Sequence, residues 1–288
     1  MKTIVITGAT GFVGQNLVRQ LSLNDNYKLI CIVRNKEKAS DVLPHSVCCY
    51  YLNELKEYVA KGNIDFVINL ASYLTSKDDD ESIEKVLDAN IVYNTRFLSV
   101  IRSVRNLRFI NLGSFAEYRN GAEKPDTAYF YTAAKQAFRP LLDFFAVKCQ
   151  WDYVHLIPYT IYGGTNNQKK LIDYVRESLN AVEPVKMSPG NQVSDFIHID
   201  DVVSCICFFI DNPEKWEGQK GEVYHLGTGK GTSIRELAKL YEIKTGQKCN
   251  IAWGAYPYRE RDVMHAVAPI GKLLDLGWKA NKRLEDYI

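Results

Sequence analysis

Three side chains of this sequence have the types and spacing for proton transfer: Ser114, Tyr131 and Lys135. Tyr131 and Lys135 are four residues apart, so on a helix they share one face and the ammonium lies beside the phenol. Two opposite unit charges about 4 Å apart attract by roughly 4 kcal/mol at an effective dielectric of 20. Since one pKa unit is about 1.36 kcal/mol, this attraction predicts a phenol pKa lowered from about 10 towards 7. Tyr131 would then exchange a proton near neutral pH while Ser114 orients the reacting oxygen.

The same Tyr-x-x-x-Lys spacing occurs a second time, at Tyr73 and Lys77, in a chain with 18 tyrosines. That copy precedes a run of acidic residues, and such polar surroundings predict a loop. Tyr131 instead opens an apolar helical pattern, and Ser114 ends an apolar strand pattern, where a parallel sheet binds ligands. The sequence therefore predicts Ser114, Tyr131 and Lys135 as the catalytic residues. The alternative is that Tyr131 is an ordinary aromatic of a first helical turn and Lys135 a solvated lysine.

A glycine-rich turn near the N-terminus predicts a dinucleotide site. An apolar strand leads into Gly8, Gly11 and Gly14, and an amphipathic helix follows. Gly8 allows a tight turn, Gly11 lets a pyrophosphate approach the backbone, and Gly14 lets the helix pack on the strand. The free N–H groups at the start of that helix attract an anion. The predicted cofactor-binding residues of this turn are Gly8, Thr10, Gly11, Phe12, Val13 and Gly14.

The end of the second strand bears on the choice of cofactor. An acidic residue there usually binds the ribose hydroxyls of NAD, whereas a 2′-phosphate requires a cation. Val33 and Arg34 occupy the two candidate positions and neither is acidic. NADP(H) is therefore favoured over NAD(H), with a solvated arginine as the alternative. Another strand pattern, at residues 65–72, includes Leu70 and Ala71 and is suited to lie beneath the bound cofactor.

Strand and helix patterns alternate through the first half of the chain, which predicts an α/β fold with a doubly wound parallel sheet, the Rossmann fold. One long helix is expected at residues 82–104, and Pro140 predicts a kink or a delayed start in the helix that carries Tyr131. Beyond residue 164, proline, glycine and polar residues become denser. We expect a dinucleotide-binding domain at 1–164 and a smaller mixed α/β substrate domain at 165–288, with part of 195–225 returning to the first domain.

The composition favours a small-molecule partner. The net charge is +2, from 36 basic against 34 acidic residues, so no net field draws the chain to nucleic acid or to a membrane. Seven cysteines in mostly apolar patterns indicate core thiols, and with no secretory signal or long apolar run the expected location is cytoplasmic. Cys205 and Cys207 lie near His198, but their apolar helical surroundings predict no metal site. Ser233 and Glu236 form a capping-box pattern at the start of a helix.

Further motifs accompany the turn and the catalytic residues: Asn69-Leu70-Ala71, Asn90, Tyr162-Gly163, Asp195-Phe196-Ile197-His198, Tyr258-Arg259 and Leu276-Gly277-Trp278. With them the sequence resembles the extended short-chain dehydrogenase/reductase superfamily over nearly its whole length. The resemblance implies an enzyme that modifies nucleotide-linked sugars, with Leu70, Ala71 and Asn90 among the cofactor contacts. It also implies that Arg259 holds the substrate diphosphate and that Lys170 and Leu171 approach its nucleoside.

Departures from the family pattern reduce the number of reactions that the resemblance allows. The 4,6-dehydratases of the superfamily carry Asp-Glu directly after the active-site hydroxyl, whereas this chain has Phe115 and Ala116 there. No spare carboxylic acid is then expected to drive loss of water. Ser194 replaces an arginine and Thr160 an asparagine that many members carry, so diphosphate contacts are fewer or redistributed, which disfavours a standard UDP-glucose 4-epimerase.

The sequence particularly resembles the 4-ketosugar reductases of the CDP-abequose and CDP-paratose synthase type, through residues 111–115, 190–192 and 259–278. This implies an NADPH-dependent reductase of a CDP-linked 4-keto-6-deoxy sugar in surface-polysaccharide (lipopolysaccharide) biosynthesis. The expected substrate-binding residues are Ser114, Thr160, Lys170, Leu171, Gln192 and Arg259. Two alternatives stay open, a nucleotide-sugar 4-epimerase with retained NAD and a non-enzymatic dinucleotide-sensing protein. A homodimer through helices 82–104 and 136–149 is also expected.

Overall fold

The structure, a computed structural model, describes residues 1–164 and 169–288. Its strands within these ranges are β1 (Lys2–Thr7), β2 (Tyr27–Ile32), β3 (Cys48–Tyr50), β4 (Phe66–Asn69), β5 (Arg108–Leu112), β6 (Asp152–Pro158), β7 (Thr160–Tyr162), β8 (Val185–Met187), β9 (Val193–His198), β10 (Lys220–Leu226), β11 (Gly231–Ser233), β12 (Ile251–Trp253) and β13 (His265–Ala266). Its α-helices are α1 (Phe12–Leu21), α2 (Lys36–Val42), α3 (Leu52–Val59), α4 (Asp80–Leu87), α5 (Tyr93–Ile101), α6 (Phe130–Cys149), α7 (Leu171–Ser178), α8 (Ile199–Asp211), α9 (Ile234–Thr245) and α10 (Gly271–Leu276).

The main sheet has seven strands in the order β10-β6-β5-β4-β1-β2-β3, and every neighbouring pair is parallel. The chain runs outward from β1 to β3 and then returns to β4 on the other side of β1. The strand order therefore reverses between β1 and β4, and at such a reversal the loops separate and leave a crevice for a ligand. Helices cover both faces, which confirms the predicted doubly wound α/β fold.

Burial on both faces explains why the central strands are apolar without alternation. Ile4, Val5 and Ile6 of β1 are all 0% exposed. Ile4 and Ile6 pack in the core that includes α1 and α8, while Val5 packs in the core that includes α5 and α6. The sheet is thus a rigid layer, and the loops at its carboxyl edge are fixed by packing on two sides.

The long helix predicted at residues 82–104 is present as a continuous helical stretch over 80–101, but it is not α-helical throughout. Between α4 and α5 the backbone forms a π-helical segment, Asp88–Val92, and α5 ends at Ile101. The widened turn contains Asn90, whose buried side chain accepts from the backbone N–H of Tyr73 at 2.8 Å and donates to its carbonyl at 3.2 Å. This tertiary contact favours the wider turn, as is common for π-helical segments at functional sites. By contrast, α6 starts before Tyr131 and continues past Pro140 to Cys149.

A smaller part of the chain packs at the carboxyl edge of the main sheet. In it β9 pairs with β7, β11 and β13, while β8 pairs with β12. Its core includes residues of α7, α9 and β9. Strand β10 then returns to the main sheet beside β6. The division into domains at 164/165 stays a prediction, and its boundary residues 165–168 lie outside the described ranges.

Two findings concern the described residues as a set. None of the helices in these ranges has the length and apolar character needed to cross a membrane. In the same ranges no cluster of three His, Cys, Asp or Glu side chains is suited to hold a metal ion. Cys205 is buried within α8, and Cys207 lies partly buried on the same helix.

Candidate active site

The glycine turn packs against the residues that follow β4. Gly8 has φ of +67°, and a Cβ there would lie 2.7 Å from the backbone N of Ala71 and 2.7 Å from the backbone C of Leu70. A Cβ at Gly14 would lie 2.3 Å from the carbonyl oxygen of Gly8. The turn therefore tolerates no side chain at these two positions, and Gly11 caps α1 in an extended conformation. Such a cradle at a helix N-terminus fits the pyrophosphate of a dinucleotide.

A row of buried polar side chains holds the neighbouring strand ends in register. Thr7 Oγ1 donates to Asn69 Oδ1 at 2.6 Å, Asn69 Nδ2 donates to Asn111 Oδ1 at 2.9 Å, and Asn111 Nδ2 lies 3.1 Å from His155 Nδ1. Burial lowers the pKa of His155 to about 3, so its imidazole is neutral. Thr7 Oγ1 also accepts from the backbone N–H of Ala71 at 3.2 Å. The row thus fixes the segment that faces Gly8.

The structure brings Ser114 and Tyr131 into contact. Ser114 follows β5 and begins a short 3-10 turn, in which its Oγ accepts from the backbone N–H of Ala116 at 3.3 Å. The same oxygen lies 3.0 Å from Tyr131 Oη, and Tyr131 occupies the first turn of α6. One turn later, Lys135 Nζ donates to the carbonyl oxygen of Leu112 at 2.9 Å. The two hydroxyls and the ammonium therefore converge beyond the carboxyl end of β5.

The predicted acidic phenol is wrong for this structure. Burial raises the pKa of Tyr131; the hydrogen bond from Ser114 opposes this shift, and the charge of Glu117 adds to it. Burial also lowers the pKa of Lys135, whose ammonium bonds a carbonyl rather than the phenol. Sequence spacing placed the two groups on one face but carried no information about desolvation, which dominates both shifts. Tyr131 is consequently protonated at neutral pH, the state required of a proton donor.

A cavity of about 10 Å³ lies beside Lys135, lined also by Asn69, Asn90, Asn94 and Asn111. The side-chain oxygen of Asn94 is buried without a hydrogen-bond partner. Its amide nitrogen donates to the carbonyls of Ala89 and Asn90 in the π-helical segment, and to that of Ala71. The side chain of the predicted cofactor residue Asn90 bonds the backbone of Tyr73, and so it also holds the loop after β4.

Sequence reasoning missed Glu117, which is 0% exposed. Its carboxylate accepts from the backbone N–H of Ser114 at 2.7 Å, from Gln136 Nε2 at 2.6 Å and from Arg139 at 2.7 Å. The expectation that no carboxylic acid lies near the active hydroxyl therefore needs correction. The group exists, but its carboxylate oxygens already accept hydrogen bonds from these three donors. The Ser-x-x-Glu capping-box pattern was the sequence signal for it.

Two of the predicted substrate residues converge near Tyr131. The Tyr129 ring stacks on that of Tyr131, with centroids 6.0 Å apart and planes 11° apart. The Arg259 guanidinium lies 5.6 Å from the Tyr129 ring centroid. Tyr129 Oη donates to Asp262 at 3.4 Å, and Gln192 Nε2 donates to the other oxygen of Asp262 at 3.2 Å. Arg259 and Gln192 are thereby linked through Tyr129 to the start of α6.

Lys170 lies against the glycine turn. Its ammonium is 3.6 Å from the centroid of the Phe12 ring and donates to the carbonyl oxygen of Ile161 at 3.0 Å. Burial lowers the pKa of Lys170 to about 8. Leu171 begins α7, and Thr160 begins β7, where it pairs with Phe196.

Arg34 is exposed two residues after the end of β2, and the intervening Val33 is buried. The next residue, Asn35, caps α2 by accepting from the backbone N–H of Lys38 at 2.7 Å.

Comparisons with known proteins agree with this geometry. The profile of the NAD dependent epimerase/dehydratase family matches residues 4–227. A CDP-abequose synthase of Yersinia pseudotuberculosis is 27% identical, with 99% of this chain and 97% of that protein covered. An ADP-L-glycero-D-manno-heptose-6-epimerase of Brachyspira hyodysenteriae is also 27% identical, with 88% and 84% covered. Among solved structures, UDP-glucuronic acid 4-epimerase from Bacillus cereus, in complex with UDP-glucuronic acid and NAD, is 19% identical with a TM-score of 0.86, covering 99% of this chain and 96% of that one.

Proposed function

This chain belongs to the NAD dependent epimerase/dehydratase family, and we propose that it is an NADPH-dependent reductase of a nucleotide-linked 4-keto-6-deoxy sugar, with a CDP-linked sugar favoured. Family membership makes it an NAD(P)-dependent enzyme, and its relatives include synthases and epimerases of nucleotide sugars. The observation that carries the reductase proposal is the contact between Ser114 Oγ and Tyr131 Oη, 3.0 Å apart.

The cradle formed by the glycine turn fits a dinucleotide, since side chains at Gly8 and Gly14 would clash with backbone atoms. We assign its binding to this turn with Leu70, Ala71 and Asn90, and to Tyr131 and Lys135 on the catalytic side. When bound, the cofactor supplies the hydride of the reduction. The exposed guanidinium of Arg34 supports NADP(H), because it offers a cation where a 2′-phosphate would lie.

The chain's own residues handle the proton. Ser114 holds the carbonyl oxygen of the sugar through its hydroxyl, and Tyr131 donates its phenolic proton to that oxygen as negative charge develops there. Lys135, one turn along α6, places a cation near the developing phenolate, so its charge opposes the cost of leaving that phenolate buried. Burial raises the pKa of Tyr131, which keeps the phenol protonated before each turnover but makes it a weaker acid, so the cation of Lys135 has to offset that cost.

We assign the substrate-binding residues from the resemblance to the superfamily and from their positions in the structure. Arg259 is exposed beside Tyr129 and is assigned to the diphosphate. Lys170 and Leu171 are assigned to the nucleoside, while Thr160 and Gln192 are assigned to the sugar and its phosphates. A dehydratase is disfavoured, because Phe115 and Ala116 supply no acid and the carboxylate of Glu117 is engaged by three donors.

Consumption of NADPH against a panel of nucleotide-linked keto sugars tests the proposal. The expected result is stoichiometric oxidation of added NADPH with a CDP-linked 4-keto-6-deoxy sugar. A 4-epimerase would instead purify with bound NAD and need none added. A dinucleotide sensor would bind NADPH and consume none with any sugar.

The variant Arg34→Ala tests the assignment of Arg34 to the 2′-phosphate of NADPH. We expect KM for NADPH to rise about 10-fold or more, since a hydrogen bond to a charged group contributes about 1.5–3 kcal/mol. KM for NADH should stay unchanged, because NADH carries no 2′-phosphate. Equal changes for both cofactors would remove Arg34 from this role.

We also propose that the protein forms a homodimer and that it is located in the cytoplasm. Leu141, Phe144 and Val147 follow one another at spacing three on α6 and are 36%, 59% and 62% exposed. An exposed apolar strip on a helix is typical of an interface, and a homodimer through α6 and the α4–α5 segment would cover it. The seven free cysteines support a reducing compartment, and hence the cytoplasm.

A further inference from the structure

We propose that Glu117, Arg139 and Gln136 form a clamp that sets the position of Ser114 relative to Tyr131. Glu117 is thus a positioning residue for proton donation, and it touches neither substrate nor cofactor in this role. The inference rests on the proposed function, because it concerns the same proton donor.

The contacts of the carboxylate define the clamp. Glu117 Oε1 accepts from the backbone N–H of Ser114 at 2.7 Å, and Oε2 accepts from Gln136 at 2.6 Å and from Arg139 at 2.7 Å. Ser114 follows β5, whereas Gln136 and Arg139 lie on α6 between one and two turns after Tyr131. One carboxylate therefore joins the strand end that carries the hydroxyl to the helix that carries the phenol.

The surroundings hold the clamp in one geometry. Arg139 is 14% exposed at its side chain and also donates to Tyr118 Oη at 2.9 Å. A Cβ at Gly113 would lie 2.7 Å from Glu117 Oε1, so this glycine admits the carboxylate. Replacing a buried ion pair by apolar residues is often neutral for stability or even stabilising. We therefore attribute the value of this pair to geometry at Ser114 rather than to stability.

The two charges of the clamp act on the catalytic groups with opposite signs. The charge of Glu117 raises the pKa of both Tyr131 and Lys135, whereas that of Arg139 lowers the pKa of Lys135. The other polar groups that act on the Tyr131 phenol are Ser114 and Tyr129. Loss of either clamp residue breaks the same contact, so a change in rigidity alone would alter both variants in the same direction. The change in local charge, by contrast, should shift the pKa of Lys135 in opposite directions in the two variants.

The test compares Glu117→Gln with Arg139→Met in the NADPH assay. Both should lower kcat by about 10-fold or more with little change in KM, since a positioned proton donor contributes about 10²–10⁴-fold. The alkaline limb of the kcat profile, which we assign to loss of the proton of Lys135, should move to lower pH in Glu117→Gln and to higher pH in Arg139→Met, because Glu117 raises and Arg139 lowers the pKa of Lys135. Arg139→Lys keeps the charge and should recover part of kcat. Unchanged kcat in Glu117→Gln, or shifts of both limbs in one direction, would overturn the proposal.

Asp201→Asn is the matched control. Asp201 is another buried carboxylate, and it accepts from the backbone N–H groups of Asn281 at 3.1 Å and Lys282 at 2.9 Å. Its replacement should lower the unfolding temperature without moving the pH profile. A pH shift of the same size in this control would show that lost stability explains the clamp variants.

A crystal structure of Glu117→Gln separates this inference from the proposed function. The distance between Ser114 Oγ and Tyr131 Oη should exceed hydrogen-bonding range in the variant and not in the wild type. An unchanged distance would overturn the clamp, whatever the substrate. If the wild type reduces no keto sugar while this distance changes, the proposed function fails and the clamp stands. If Glu117→Gln does not fold, Arg139→Met replaces it in the same crystallographic comparison, with the same two outcomes.

Discussion

Replacing Tyr131 with phenylalanine removes one oxygen atom, the one that lies 3.0 Å from Ser114 Oγ. The ring is 5% exposed and is retained, so no cavity opens in the core. Ser114 Oγ keeps the backbone N–H of Ala116 as a partner at 3.3 Å. The expected loss of stability is therefore that of one hydrogen bond, about 1 kcal/mol.

The expected loss of activity is much larger. General acid catalysis by a positioned side chain contributes about 10²–10⁴-fold, which corresponds to about 3–5 kcal/mol in the barrier at about 1.36 kcal/mol per factor of ten. NADPH consumption with a saturating keto sugar nucleotide measures kcat, and urea unfolding measures stability. A fall in kcat of at least 100-fold, beside a change of about 1 kcal/mol in unfolding, assigns proton donation to Tyr131.

The second Tyr-x-x-x-Lys copy provides a matched control. Tyr73 is 37% exposed, and its backbone, rather than its hydroxyl, bonds to Asn90. Tyr73→Phe should leave both kcat and the free energy of unfolding unchanged. Wild-type kcat in Tyr131→Phe, or an equal loss in the two variants, would refute the reasoning from the Ser114 contact.

Three further predictions test the site and the assembly. Gly14→Ala should abolish NADPH binding in a fluorescence titration, since its Cβ would lie 2.3 Å from Gly8 O; retained affinity would contradict the cradle. Folding lowers the pKa of Lys170 from 10.5 to about 8, so the unfolded chain binds more protons between these values and stability rises with pH there. Relative to Lys170→Met, the free energy of unfolding of the wild type, measured in urea, should rise by at most about 3 kcal/mol between pH 8 and 10.5. Parallel pH dependences of the two proteins would contradict this prediction. Phe144→Glu with Val147→Glu should halve the mass in sedimentation, and an unchanged dimer would exclude this face.

The sequence was sufficient for the main sheet and the glycine turn because their signals are local. β1 is a continuous apolar run, and the turn after it needs glycine at Gly8 and Gly14 for steric reasons that any such turn shares. The capping box of Ser233 and Glu236 was predicted on the same basis, and both of its hydrogen bonds are present. The apolar run of β1, the close approach of Gly14 to Gly8 and the capping box involve neighbours in the chain, so residue type and spacing determine them.

The π-helical segment within this helix could not be predicted in this way. The π-helical segment at Asp88–Val92 coincides with contacts from Asn90 to Tyr73, a residue 17 positions away. Apolar periodicity continues through the segment, so the pattern alone favours an uninterrupted helix. The partner that stabilises the wider turn lies in a loop after β4, and only the folded chain brings it close.

Glu117 is an intermediate case, since half of its role was visible in the sequence. Ser114 and Glu117 have the same spacing as Ser233 and Glu236, which was recognised as a capping box. The acids of the dehydratases occupy the positions of Phe115 and Ala116, so the family pattern gives no sign of a carboxylate at the next residue. Its partners Gln136 and Arg139 belong to another element, and no local pattern announces that pairing.

The corrected pKa of Tyr131 also bears on the reaction. A 4-epimerase must remove a proton from the sugar hydroxyl and later return it, so its tyrosine has to exist as a phenolate for part of each cycle. A reductase only donates, and its tyrosine must be protonated at the start of each turnover. Burial and the charge of Glu117 both raise the pKa of Tyr131 and so favour the protonated state. This environment therefore disfavours a phenolate base, but it also makes the phenol a weaker acid, so proton donation by Tyr131 relies on the cation of Lys135 to stabilise the phenolate that remains.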